Sequence, residues 1–214
     1  MNAFFEAGAT RVKVCGVTNP ADAAMAVDAG ADAIGINLFP GSKRFVELDA
    51  VRGWVSALPV SRVAVVVNAT ADDVARIVAA DCFDAIQFHG DEAPEFCAGC
   101  ARPWIRAVRV ADASSLVHAL AYETPWLLLD AHASSGYGGT GLSVDPVLAA
   151  GFAATHPERR IILAGGLRPD NVAAAVRAVR PHGVDVASGV EIDGDARRKD
   201  PEKVRAFVEA ARAG

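Results

Sequence analysis

Cys15 closes a short apolar run, Arg11-Val-Lys-Val-Cys15. A cysteine there can act as a nucleophile or base if its thiolate is stabilised, and Lys13 lies on the same side of an extended chain, two residues back. A small buried core residue is the competing reading. Asp130 closes a second run, Trp126-Leu-Leu-Leu-Asp130. Partial desolvation there favours the neutral carboxyl, which can donate a proton near neutral pH. A helix cap or a loop ion pair would explain the same residue. Asp185 lies inside Val184-Asp-Val-Ala187, where a carboxylate is costly without a partner. It reads as a supporting group more than a chemical one. Arg44, in the loop Gly41-Ser-Lys-Arg44, offers a fork for a carboxylate, or is a solvated loop charge. His89 follows Ala85-Ile-Gln-Phe88, and a ligand, a base and a satisfied turn histidine stay equally open. Gly165-Gly166 and Ser188-Gly189 follow two further apolar runs, and Gly138-Gly-Thr-Gly141 lies in a long loop. Glycine-freed backbone N–H groups beside a helix start suit a phosphate, whereas tight turns alone would be the plain alternative.

Elements of regular spacing must hold these groups. Eight short apolar runs recur, at 11–15, 33–37, 63–67, 85–88, 104–108, 126–130, 161–164 and 184–187. Most are near-continuous rather than alternating, as in strands covered on both faces of a parallel sheet. Helical segments separate them. Asn19-Pro20, Thr70-Ala-Asp-Asp73, Asp91-Glu-Ala-Pro94, Pro169-Asp-Asn-Val172 and Asp200-Pro201 carry start signals. Segments 47–58, 112–121 and 144–154 are weaker but helical in pattern. Eight strand–helix units with no linker predict a single (β/α)₈ barrel over 1–214, with residues 1–10 a short N-terminal extension of no assignable role. An open doubly wound sheet would need only five or six strands and a crossover that is not evident. In a barrel, chemistry belongs at the C-terminal strand ends, where the polar residues above cluster.

Composition narrows the function classes. The 214 residues carry a formal net charge of -5, which argues against nucleic-acid binding through a general basic field. Hydrophobic residues make up 52%, which excludes disorder. No apolar run approaches the roughly 18 residues of a membrane span, and the N-terminus does not read as a signal peptide, so a cytoplasmic location is expected. Cys97-Ala-Gly-Cys100 has metal-like or redox-like spacing, but no second pair accompanies it. His118, His132, His156 and His182 lack ligand spacing, and no metal site is expected.

The motifs in order are Lys13-Val-Cys-Gly-Val-Thr18, Phe39-Pro-Gly-Ser-Lys-Arg44, Gln87-Phe-His-Gly-Asp-Glu92, Leu129-Asp130 with Gly138-Gly-Thr-Gly141, Leu163-Ala-Gly-Gly-Leu167 with Pro169 and Asn171, and Asp185-Val-Ala-Ser-Gly-Val-Glu191. Together they resemble the phosphoribosylanthranilate isomerase family of tryptophan biosynthesis, over about residues 11–213. The resemblance implies an Amadori rearrangement of N-(5′-phosphoribosyl)anthranilate to 1-(2-carboxyphenylamino)-1-deoxyribulose 5-phosphate, without redox change or cofactor. It implies Asp130 as general acid and Cys15 as general base. Arg44 would hold the anthranilate carboxylate. Gly141, Gly165, Gly166, Ser188 and Gly189 would hold the phosphate, and His89 and Asp185 would lie around the sugar. An acid, a base, an anion clamp and a phosphate nest are what such a reaction requires. Two departures stand out. Lys43 occupies the place of the family's usual proline, and Ala187 that of a common serine.

Two alternatives remain at this level. One is a dual-specificity isomerase that also takes the histidine-pathway phosphoribosyl substrate, although the related histidine-pathway isomerase is expected to use a pair of aspartates and two phosphate nests, and here the first strand ends in Cys15 and one nest is evident. The other is a non-catalytic phosphate-binding barrel. A monomer is expected because no long exposed apolar helix face stands out, with a homodimer still open.

Overall fold

A computed structural model describes residues 3–6, 8–131 and 144–214 of the chain. Its strands are β1 (Arg11–Cys15), β2 (Ala33–Asn37), β3 (Ser61–Val66), β4 (Ala85–Phe88), β5 (Trp104–Val110), β6 (Trp126–Ala131), β7 (Arg160–Leu163) and β8 (Gly183–Val186). They pair in sequence order, and β8 returns to β1, closing a parallel barrel. The helices are α1 (Pro20–Asp28), α2 (Leu48–Val55), α3 (Ala71–Ala80), α4 (Pro94–Ala98), α5 (Ala113–Ala119), α6 (Pro146–Thr155), α7 (Val172–Val179) and α8 (Pro201–Ala213).

The start signals act through ordinary capping. Asn19 Oδ1 accepts from the Asp22 amide at 2.9 Å, and Thr70 with Asp73 forms a reciprocal capping box. The expected and observed elements agree to within a few residues. β3 begins two residues earlier than its apolar run because Ser61 pairs with Ala33.

One element was not legible in the apolar pattern. β9 (Glu191–Ile192) and β10 (Asp195–Lys199) form an antiparallel hairpin between β8 and α8. Its sequence, Glu191-Ile-Asp-Gly-Asp-Ala-Arg-Arg-Lys199, is charged and nearly without β-branched residues, so propensity does not announce it.

The pleat divides the core in two. Val12, Val14, Ile34 and Ile86 face outward into the layer shared with helix residues such as Ala23, Val176 and Phe207. Ala33, Val63, Ala85, Ile105, Leu128 and Ile162 fill the barrel interior. Nearer the C-terminal ends, the inward positions of β1, β4, β6 and β8 are polar (Lys13 and Cys15, Gln87, Asp130, Asp185), and a period of two delivers them to one mouth, while Val65 of β3 and Ala107 of β5 keep the rest of that layer apolar.

The other mouth is closed by the N-terminal extension. Ala3–Phe5 form a 3-10 helix. Phe4 is fully buried, and its ring lies 6.3 Å from Trp126 and 5.3 Å from Phe5. The Phe4 carbonyl accepts from His182 Nε2 at 3.2 Å, and burial pushes that imidazole's pKa down. Phe4→Ala is expected to destabilise the protein by about 3–5 kcal/mol, the cost of truncating a fully buried phenylalanine. Urea unfolding beside the parent measures it. A cost under about 1 kcal/mol would show that the plug is dispensable.

Candidate active site

At the C-terminal mouth of the barrel lies a cavity of about 390 Å³. Cys15, Arg44, His89, Asp130, Gly165, Gly166, Asp185 and Ser188 line it together. These residues come from six different strand ends, and closure of the barrel is what makes them neighbours. Gly189 adjoins Ser188 and packs against the Leu167 carbonyl. Gly141 and the rest of 138–141 lie outside the described residues.

β1 and β8 supply the basic side of the site. Their register sets Lys13 beside Asp185, and Lys13 Nζ donates to Asp185 Oδ1 at 2.7 Å. Lys13 has no exposed surface and Asp185 is almost as deep. The carboxylate inside β8 therefore has the partner that its burial demands. Burial pulls the Lys13 ammonium pKa down, but Asp185 and then Cys15 outweigh this and hold it above its ordinary value. The Cys15 thiol is pushed up, first by burial and then by Asp185, while Lys13 and Lys199 pull against the rise. The thiol is thus the resting form, and Lys13 is the largest cationic influence favouring the thiolate.

A consequence is open to measurement. Asp185→Asn removes the negative charge next in weight after burial and frees Lys13 to pair with the thiolate. The midpoint for Cys15 alkylation by iodoacetamide is expected to move to lower pH, read by peptide mass spectrometry across the neutral to alkaline range. A midpoint that stays or rises would show that Asp185 does not act on Cys15.

β4 and β6 supply the acidic side. His89 Nε2 lies 3.2 Å from Asp130 Oδ2, and His89 Nδ1 lies 2.9 Å from Gln87 Nε2. The carboxamide nitrogen can only donate, so Nδ1 accepts and Nε2–H donates to Asp130. His89, whose role the residues alone left open, holds Asp130 through Oδ2, and Asp130 Oδ1 lies close to Gly165. The turn after β4 is itself rigidly held. Glu92 accepts from the Asn68 and Gly90 amides at 2.7 and 3.0 Å and pairs with Arg106 at 3.0 Å. Arg106 also donates to the Gly90 carbonyl at 2.9 Å.

The glycine turns follow β7 and β8. Gly165 and Gly166 have φ of +74° and +61°, which L side chains rarely adopt. Asn171 clamps this turn, donating to the Gly166 carbonyl at 3.0 Å and accepting from the Arg168 amide at 2.7 Å. At Gly189 a Cβ would collide with the Leu167 carbonyl, so the two turns interlock only through a glycine. Adjacent turns of this kind suit a phosphate.

Arg44 is engaged in a way that its loop sequence does not disclose. Its Nε and Nη2 edge grips Glu191, at 2.5 Å to Oε1 and 3.1 Å to Oε2. Glu191 Oε1 also accepts from Lys199 Nζ at 3.1 Å, and Lys199 donates to the Ala187 carbonyl at 3.0 Å. At the first departure, Lys43 offers its carbonyl to Arg197 Nη1 at 3.5 Å, so the hairpin braces this loop without proline. Sequence alone assigns no role to Glu191, Lys199 or Gln87. Gln87 and Glu191 were signalled only by their places in the Gln87-Phe-His-Gly-Asp-Glu92 and Asp185-Val-Ala-Ser-Gly-Val-Glu191 motifs, and Lys199 by nothing.

Residues 12–210 match the family model described as N-(5′-phosphoribosyl)anthranilate (PRA) isomerase. An N-(5′-phosphoribosyl)anthranilate isomerase of Myxococcus xanthus is 46% identical over 209 residues, covering 95% of this chain and 96% of its own. The Pelobacter propionicus protein of the same name is 44% identical over 204 residues, covering 94% and 95%. Among solved structures, phosphoribosyl anthranilate isomerase from Thermotoga maritima superposes with a TM-score of 0.87 at 36% identity, covering 96% of this chain and 100% of that one. A phosphoribosyl anthranilate isomerase in complex with reduced 1-(o-carboxyphenylamino)-1-deoxyribulose 5-phosphate gives 0.82 at 34% identity, with the same coverage. The chain belongs to the N-(5′-phosphoribosyl)anthranilate isomerase family.

Proposed function

We propose that the protein converts N-(5′-phosphoribosyl)anthranilate to 1-(2-carboxyphenylamino)-1-deoxyribulose 5-phosphate by general acid–base catalysis. One arrangement carries the reading: Cys15 and Asp130 line a single cavity that also holds Arg44 and the glycine turns of Gly165-Gly166 and Ser188. Two anionic groups of one substrate could be held there while an acid and a base work between them.

In this reading Asp130 gives its proton to the furanose oxygen as the bond from that oxygen to C1′ breaks. The anilino nitrogen lone pair forms the C1′=N bond. Cys15, as thiolate, removes the C2′ proton. The C–H electron pair forms C1′=C2′, and the iminium nitrogen accepts the displaced pair. The resulting enolamine ketonises to the product. One proton enters from Asp130 and one leaves to Cys15, ketonisation puts a proton on C1′ as the C2′ hydroxyl loses its own, and no oxidant or reductant is needed because the substrate's own nitrogen is the electron sink. Lys13 supports the thiolate, His89 orients Asp130, and Asp185 sits beside the sugar. The phosphate rests on the glycine turns.

The fluorescence of phosphoribosylanthranilate, prepared from anthranilate and ribose 5-phosphate, provides the assay. Consumption well above the protein-free rate is expected, with no turnover of the histidine-pathway substrate. A rate equal to the blank would overturn the reading and leave a phosphate-binding barrel. Turnover of both substrates would make the enzyme dual-specific.

A monomer in the cytoplasm completes the proposal. A Thermotoga maritima relative is described as dimeric, and monomers generated from it have been crystallised. Here the large hydrophobic side chains exposed among the described residues are Val117, Val147 and Ile192, and they do not form one run of sequence. Light scattering on the purified chain tests the monomer.

A further inference from the structure

We propose that Lys199, buried in the β9–β10 hairpin, is the residue that keeps the Arg44 site able to accept a substrate carboxylate, by neutralising Glu191. The inference rests on reading Arg44 as the carboxylate subsite, and it adds the charge balance that makes such a subsite work.

A guanidinium has two edges that can meet a carboxylate in parallel bonds. Glu191 occupies the Nε/Nη2 edge of Arg44. Among the described residues no side chain or backbone group bonds Arg44 Nη1, so its end-on Nη1/Nη2 edge is open to a second carboxylate at a residue that lines the cavity. Geometry therefore permits a second carboxylate, but electrostatics alone would not favour it. Arg44 and Glu191 by themselves sum to zero, and a second anion would approach an existing one in a poorly solvated place.

Lys199 changes that sum. Its ammonium lies 3.1 Å from Glu191 Oε1, with no exposed side-chain surface. Burial pulls the Lys199 ammonium pKa below its ordinary value, and Glu191 opposes the fall through charge and hydrogen bond. With Lys199 protonated, Arg44, Glu191 and Lys199 together carry one net positive charge, which one carboxylate compensates. The neighbouring Lys13–Asp185 pair is neutral and leaves this balance unaltered. The hairpin delivers Lys199 to this depth because the Lys199 amide is tied to Asp22 Oδ2 at 2.8 Å, at the start of α1. Asp22 is itself buried. Among the described residues, Lys199 Nζ hydrogen-bonds to the cavity lining only at the Ala187 carbonyl and reaches Arg44 by way of Glu191, so it is a positioning residue and not a catalytic one.

The test compares two substrates, phosphoribosylanthranilate and N-(5′-phosphoribosyl)aniline made from aniline and ribose 5-phosphate, which lacks the carboxylate. For Lys199→Met the preference for the carboxylated substrate, as a ratio of kcat/KM values, is expected to fall about tenfold, the scale of one charge-assisted hydrogen bond. The loss should appear mainly in KM for the carboxylated substrate. Glu191→Gln removes the competing anion and is expected to leave that ratio unchanged or higher. A merely structural role would lower turnover of both substrates alike in either variant. The inference is overturned if Lys199→Met leaves the ratio unchanged, or if Glu191→Gln lowers it as Lys199→Met does. Lys199→Gln serves if the methionine variant does not fold, with the same fall expected. Failure of the parent protein to consume either substrate would instead refute the activity itself.

Discussion

Cys15→Ser is expected to lower kcat about 1,000-fold, within the range that a positioned general base contributes. Serine keeps the shape and the hydrogen bonding but gives up the readily formed anion. The Cys15 thiol already resists ionisation because of burial and Asp185, and a hydroxyl in the same place would resist far more. Asp130→Asn should cost a comparable factor, because the amide accepts the His89 bond or donates in its place but has no acidic proton to give. KM should change little in either variant, since in the proposed reading Arg44 and the glycine turns hold the two anionic ends without help from these atoms. Steady-state fluorescence assays measure both effects. Turnover within about tenfold of the parent in either variant would remove that residue from the proposed chemistry.

Lys13→Met carries an expected stability effect as large as that of Phe4→Ala, and it reaches the chemistry as well. The substitution leaves Asp185 deeply buried without its 2.7 Å partner. Removing one member of a buried ion pair costs about 3–5 kcal/mol, because the remaining charge is uncompensated. The double variant Lys13→Met with Asp185→Leu should recover most of that loss, since no charge is then stranded. Urea unfolding of the four proteins closes the cycle. If the double variant is no more stable than Lys13→Met alone, the pair is not energetically coupled. Activity should fall as well, and in the direction set by the thiol. Lys13 is the strongest influence pulling the Cys15 pKa down, so its loss raises that value further and thins the thiolate population at neutral pH. The alkylation midpoint of Cys15 in Lys13→Met is therefore expected to move up, opposite to the shift in Asp185→Asn.

These two residues show how unevenly the site was legible. Lys13 and Cys15 are two apart in one strand, so their shared direction follows from the pleat alone. Asp185, 172 positions after Lys13, meets it only because β8 closes on β1 in a particular register. The carboxylate's need for a partner could be read from its place in an apolar strand, but the partner's name could not. The same holds for Asp130, whose link to His89 spans 41 residues. Arg44 is the sharpest case. Its fork was expected to face a ligand, yet one edge faces Glu191, 147 residues away, from a hairpin whose charged sequence carries no strand signal.

Local sequence thus determined the elements, because apolar period, capping residues and glycine turns act over a few neighbours and need no knowledge of the whole chain. It placed the (β/α)₈ order and gathered the polar groups at strand ends. The N-terminal phenylalanines had no local reason for burial and found one in the open base of the barrel, against Trp126. Closure and register decided the rest: which charges are paired, which edge of Arg44 remains to face a ligand, and which cation sustains the thiolate. Those are properties of distance and dielectric between remote residues, and only the closed barrel sets them.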